Sequence, residues 1–245
     1  MKVITNIFLA AMFCVFGAHV LDAQEEHFDV EFGYEDGSLI FESSGPGIDA
    51  AGIFEAEFEV LNMDGSQVAE DPGFASNFME GDETFSITSG DSMFLNANQS
   101  STLGSYLTYF NPASNQFEST DATITIEDNS PGATSDLIVT ESDLSGDMSQ
   151  YVVTSDGFEI DTHVDYILSS GAQEGLYGIL LNLESDNLSG DLSVATSDQF
   201  WVVFNNGLSE EVFEGAIGNF SAVPEPSSSV IIVAVALGIL RRKRS

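Results

Sequence analysis

The chain has 245 residues, of which 40 are acidic and 5 basic, giving a formal net charge of −35 at neutral pH. That charge repels polyanions, which argues against nucleic acid, anionic lipid surfaces and phosphorylated substrates and makes cations the natural partners. Hydrophobic residues still make up 43% of the sequence, enough to build a sizeable core.

Lys2, an apolar run over residues 3–18 and a small or polar stretch ending at Ala23 have the layout of a secretory signal peptide. Cleavage is expected after Ala23, leaving residues 24–222 as one acidic domain and 223–245 as a separate tail. Cys14 lies inside the apolar run without a lipobox-like sequence before it, so a lipoprotein is not expected. The mature chain then has no cysteine, and an exported fold without disulfides has to rest on its core. The basic residues are Lys2, Arg241, Arg242, Lys243 and Arg244, all in the terminal segments. No Lys or Arg ion pair can therefore form within residues 24–222. Carboxylates in such excess keep a protein hydrated in salty surroundings, where a Debye length of ~8 Å mutes their repulsion; stability is expected to fall when salt is removed.

Residues 24–222 alternate apolar and polar positions, with frequent Gly, Ser, Asn and Asp breaks, which predicts one all-β domain, a jelly-roll-like β-sandwich. A signal helix precedes it and a short hydrophobic helix follows it. Strands are expected over residues 28–34, 53–61, 122–127, 137–140, 158–168, 177–183 and 199–204. In the first, period two puts His27, Asp29 and Glu31 on one face and Phe28, Val30 and Phe32 in the core. Over residues 54–60 the same period turns Glu55, Glu57 and Glu59 to water. A short helix is expected over residues 66–78, interrupted by Pro72 and Gly73. Tyr106, Tyr109 and Tyr151 read as exposed rings suited to stacking on sugars, and Trp201 as core.

Residues 141–147 and 184–191 resemble each other and read as the same turn chemistry used twice. Neither copy has the spacing of an EF-hand loop. Residues 158–168 repeat the pattern of the first strand, with Asp161, His163 and Asp165 on one face. If the two histidine strands are neighbours, His27, Asp29, Asp161, His163 and Asp165 would form a mixed nitrogen and oxygen site for zinc or calcium. The competing reading is two exposed histidines among abundant acids. Residues 176–183 and 200–204 are continuously apolar and predict central strands. Nineteen phenylalanines suit a sandwich core. Ser209 as an N-cap, with Glu210 and Glu211 after it, predicts a helix over residues 210–217.

Enzymatic signals are missing. The sequence has no Gly-x-Ser-x-Gly elbow, and the proposed mature region has no cysteine nucleophile, no lysine for a Schiff base and no arginine to hold a developing anion. An enzyme is not expected; a carboxylate-pair glycosidase on the sandwich ranks third among the readings.

The tail reads Pro224-Glu225-Pro226, a short apolar run over residues 230–240, then Arg241-Arg242-Lys243-Arg244. At ~1.5 Å per residue that run is shorter than a ~30 Å bilayer core, which suits a transient stop rather than a permanent anchor. The order of these parts resembles the PEP-CTERM sorting signal, a tail handled by an exosortase. It is also known as an ice-binding protein C-terminal domain, a name that implies no ice binding. The resemblance implies an inner-membrane stage during sorting, then the cell envelope or extracellular matrix, with exosortase and the secretion machinery as partners. Asp71-Pro72-Gly73-Phe74-Ala75, His163-Val164-Asp165 and Glu211-Val212-Phe213-Glu214-Gly215-Ala216 resemble stretches of envelope proteins of unknown activity that share this tail. Those proteins often have His-x-His where this chain has Asp161-x-His163, a departure that favours calcium or no metal over zinc. The expected function is a structural or binding protein of the envelope or its polysaccharide matrix. A divalent-metal-binding surface protein is the alternative.

Overall fold

A computed structural model of the chain describes residues 29–35, 38–41, 52–58, 60–77, 92–128, 136–146, 150–152, 159–187 and 196–221. The hairpin β1 (Asp29–Glu35) and β2 (Ser38–Phe41) comes first. It is followed by β3 (Ile53–Glu57), β4 (Val60–Leu61), β5 (Gln67–Ala69), β6 (Gly73–Asn77) and β7 (Ser92–Asn98). β8 (Leu107–Asn111) and β9 (Gln116–Glu118) form a second hairpin, turned at Asn115, whose φ of 55° is the left-handed conformation that asparagine tolerates. The meander β10 (Ile124–Asp128), β11 (Asp136–Val139) and β12 (Leu144–Gly146) precedes β13 (Gln150–Val152) and β14 (Glu159–Thr162). β15 (Val164–Leu168), β16 (Gly175–Asn187), β17 (Phe200–Asn206) and the helix α1 (Glu210–Ser221) complete the described elements.

The fold is all-β and sandwich-like. One layer is a seven-stranded sheet, β13-β7-β16-β17-β3 with β8 paired to β16 and β9 to β8. The other layer contains a four-stranded sheet, β14-β6-β1-β2, and a six-stranded sheet, β12-β11-β10-β15-β5-β4. Pairing is antiparallel except for β1 with β6 and β3 with β17. Between the layers lies a core that draws Phe54, Tyr177, Leu181, Phe200 and Phe204 from one side and Val30, Phe74, Ile126, Val139 and Tyr166 from the other.

Helix α1 covers the outer face of the seven-stranded sheet. Ile217 and Phe220 pack there with Leu176, Trp201 and Val203. This explains why residues 200–204 are apolar at every position: β17 is buried on both faces, Phe200, Val202 and Phe204 towards the sandwich core and Trp201 and Val203 towards the helix. Ser209 O accepts the first helical bonds, from Val212 N–H at 2.9 Å and Phe213 N–H at 3.0 Å. Asn205 fixes the turn into the helix, accepting from Leu208 N–H at 3.0 Å and donating to Leu208 O at 3.1 Å. The helix runs to Ser221, one turn beyond the span expected from sequence, because Phe220 has a seat on the sheet above Gly178.

Several local expectations resolve differently. The helix expected over residues 66–78 is replaced by β5 and β6, where Val68 pairs with Ile167 and Phe74 with Val30. Pro72 supplies no N–H and disfavours helix at Asp71, so sheet pairing prevails. The single strands expected over 53–61 and 158–168 are each two strands, because the chain changes sheet between β3 and β4 and again at His163. Tyr109 is 3% exposed rather than a surface ring, since β8 lies between β16 and β9; Tyr106 is half-buried against the core. The side chain of Tyr151 lies outside the described residues. The two similar segments differ in structure: residues 141–143 turn between β11 and β12, whereas residues 184–187 extend β16.

Candidate functional site

Two chain crossings between the four- and six-stranded sheets lie side by side. Residues 70–73 carry the chain from β5 to β6, and His163 carries it from β14 to β15. The crossings are held together because β5 pairs with β15, Ala69 opposite Tyr166, and β6 with β14, Phe74 opposite Thr162. Strand β1 adds a third wall, with Asp29 opposite Gly73. The strands carrying Asp29 and Asp161 are thus not direct neighbours; they flank β6 on its two sides.

Gly73 lets polar side chains meet at this corner. A Cβ there would strike Asp29 Oδ1 and lie 2.7 Å from His163 Nδ1. His163 Nδ1 is also 3.9 Å from Asp71 Oδ1, with the two side chains 40% and 26% exposed. Asp29 Oδ1 and Asp71 Oδ1 are both shielded from solvent. Beneath them the buried Tyr166 hydroxyl donates to Pro72 O at 3.3 Å. Burial, and then the negative charge of Asp71, push the Tyr166 phenol far above its ordinary range, so it stays protonated and remains a donor. An imidazole near two carboxylates, each with one oxygen shielded from solvent, can attract a cation. Among the described residues, no three His, Cys, Asp or Glu side chains converge closely enough to cage a metal.

A second feature crosses the outer face of the six-stranded sheet. Glu127 on β10 stands directly opposite Asp136 on β11 and Asp165 on β15. The buried neighbours Ile126, Leu137, Val164 and Tyr166 point the other way, so the three carboxylates share the solvent face. Desolvation, then Asp136, then Asp165, raise the Glu127 carboxyl above its ordinary range. The row ends two residues from His163, beside the corner.

Asp29 and His163, expected from sequence as metal ligands, are therefore brought together, while Asp165 belongs to the acidic row. Asp161 is fixed opposite Ala75 in the backbone register, and its side chain lies outside the described residues. His27, the motif Pro224, Glu225 and Pro226, and the basic stop Arg241, Arg242, Lys243 and Arg244 also lie outside them. Among the described residues no helix is long and apolar enough to cross a membrane. Sequence reasoning missed Asp71, Glu127 and Asp136 as site residues. Asp71 had a local signal in Asp-Pro-Gly, a rigid residue and a permissive one after a carboxylate. The other two had none, because only strand register makes them neighbours. No known protein family, curated protein or solved structure matches this chain.

Proposed function

We propose that this chain is an exported, exosortase-sorted structural or binding component of the bacterial envelope or its extracellular polysaccharide matrix, without enzymatic activity. It associates with matrix polysaccharide through shared divalent cations. The observation that carries this reading is the row Asp136, Glu127 and Asp165. Like charges directly opposite one another oppose sheet formation, and residues 24–222 contain no Lys or Arg to neutralise them. A cation held jointly with an outside polysaccharide supplies positive charge to this row. The Pro224-Glu225-Pro226 tail supports passage through the inner membrane, handled by exosortase and the secretion machinery, with only transient membrane contact.

Cosedimentation of the full-length chain with matrix polysaccharide, with and without calcium, tests the proposal. Calcium-dependent association that weakens when Glu127→Gln and Asp165→Asn are combined is the expected result. Absence of association with and without divalent cations overturns it.

The approach of His163 to Asp71 and Asp29 beside Gly73 is the observation behind a second reading, a dedicated zinc or calcium site at the corner. His163→Ala separates the two. The surface-charge reading predicts little change in divalent-ion binding, and the corner-site reading predicts loss of its tight component.

A further inference from the structure

The outer edge of β8 is covered by two different segments in turn. Strand β9 reaches Glu118, opposite Tyr109, and stops. Beyond it the chain at Thr140 and Glu141 takes over, accepting from Leu107 N–H at 3.0 Å and Tyr106 N–H at 2.9 Å. Between them is a cleft of about 220 Å³, floored by Leu107, Thr108 and Tyr109. This is below the roughly 300–1,000 Å³ of pockets for drug-sized ligands and suits one small ring.

The lining of the cleft has three kinds of group. The first is a pair of carboxylates held in place from behind. Glu141 Oε2 accepts from Thr120 N–H at 2.9 Å. Glu118 accepts from the Ser114 hydroxyl at 2.6 Å and the Asn111 amide at 3.1 Å, which keeps it below the usual carboxylate range and so ionised. The second is an apolar wall: Phe117 is fixed edge-on against Phe110 and Phe220, with ring centres 5.1 and 5.4 Å away. The third is a hydroxyl pair on the buried side, Ser105 and Thr108, 2.9 Å apart. A wall for C–H groups, hydroxyls for hydroxyls and two fixed anions are together the complement of an amino sugar.

We infer that this cleft binds one hexosamine residue with a free amine, which the Glu118 and Glu141 carboxylates attract, with the sugar ring beside Phe117. The inference rests on the polysaccharide reading above and adds which sugar is recognised. An acidic sugar is excluded by the same two carboxylates, and a neutral hexose loses the charge-assisted bonds.

Calorimetric titration of the full-length chain with glucosamine oligomers, glucose oligomers and glucuronate oligomers tests it, with the linear diamine putrescine as a control. Saturable binding of the glucosamine oligomer is expected, with no binding of the glucuronate oligomer. The isosteric Glu141→Gln, shown to melt as the parent does, should weaken that binding about tenfold or more, and Glu118→Gln should weaken it in the same direction. Unchanged affinity in both variants, equal binding of the glucuronate oligomer, or putrescine binding as tightly as the sugar overturns the assignment. If hexosamine binding is absent while calcium-dependent matrix association persists, the cleft assignment fails and the broader proposal stands; if both are absent, both fail.

Discussion

Asp29 and Gly73 are partners across the parallel strands β1 and β6, and the Asp29 carboxylate occupies the space that a side chain at Gly73 would take. His163 reaches the same space from the neighbouring crossing. The corner therefore depends on the absence of one methyl group.

Gly73→Ala should force both polar groups away. Overpacking of this kind costs about 1–3 kcal/mol, read as a lower midpoint in urea unfolding. A midpoint equal to the parent's would mean that the Asp29 and His163 side chains move aside freely, and the corner would lose its standing as a formed site.

Glu127→Gln should stabilise the protein by about 0.2–1 kcal/mol at neutral pH, since it removes two like-charge cross-strand pairs. The gain should shrink as salt is added. The direction of the pH dependence follows from the raised Glu127 carboxyl. The folded chain binds this proton more tightly than the unfolded chain, so the contribution is favourable at low pH. It is lost as pH rises from the ordinary glutamate range through the higher folded value. Melting curves of parent and variant should converge on acidification and separate towards neutrality.

Alkaline titration should show a phenol that ionises late. Burial first, and Tyr109 second, push Tyr177 up to about 12, and its hydroxyl donates to Gln173 O at 2.8 Å. Its folded value lies above its unfolded one, so the stability it contributes is full below the ordinary tyrosine range and is lost as pH rises to about 12. Tyr177→Phe should flatten that part of the alkaline stability curve and remove one slowly ionising group from the tyrosine difference spectrum.

Phe220→Ala should cost about 3–5 kcal/mol, because the ring is fully buried between α1 and the seven-stranded sheet. Trp201 is the chain's only tryptophan, 3% exposed with its ring centre 5.3 Å from that of Phe220. Its emission should shift to the red in the variant while the far-ultraviolet spectrum keeps its β character. An unshifted emission would show that the helix still covers the sheet.

Local pattern made much of this fold legible. The period of two placed Val30 and Phe32 in the core, and the uninterrupted apolar run at residues 200–204 marked a central strand. Changes of sheet were not legible, because period two continues through His163 while the hydrogen-bonding partner changes from β6 to β10 and β5. Asp29 and His163 were recognisable as polar positions on the right faces. Their meeting depends on Gly73, which belongs to a strand expected as helix. Glu118 and Glu141 lie far apart in the chain and share a cleft only because β9 is shorter than β8. Tyr109 reads as a surface ring in the sequence because an aromatic residue looks alike on either side of a strand until its neighbours are known.

The two middle strands of the seven-stranded sheet, β16 and β17, are the last strands among the described residues, and their partners β3, β7 and β8 are made long before them. A chain made from its N-terminus therefore delivers the outer parts of this sheet first and its centre last. Until β16 and β17 have been made, β3 has no parallel partner and the edges of β7 and β8 that β16 joins stay unpaired. Pairing over such separations is slow, and waiting strand edges invite association with other chains. The net charge of −35 opposes that association, since like-charged chains repel one another while the sheet is still open.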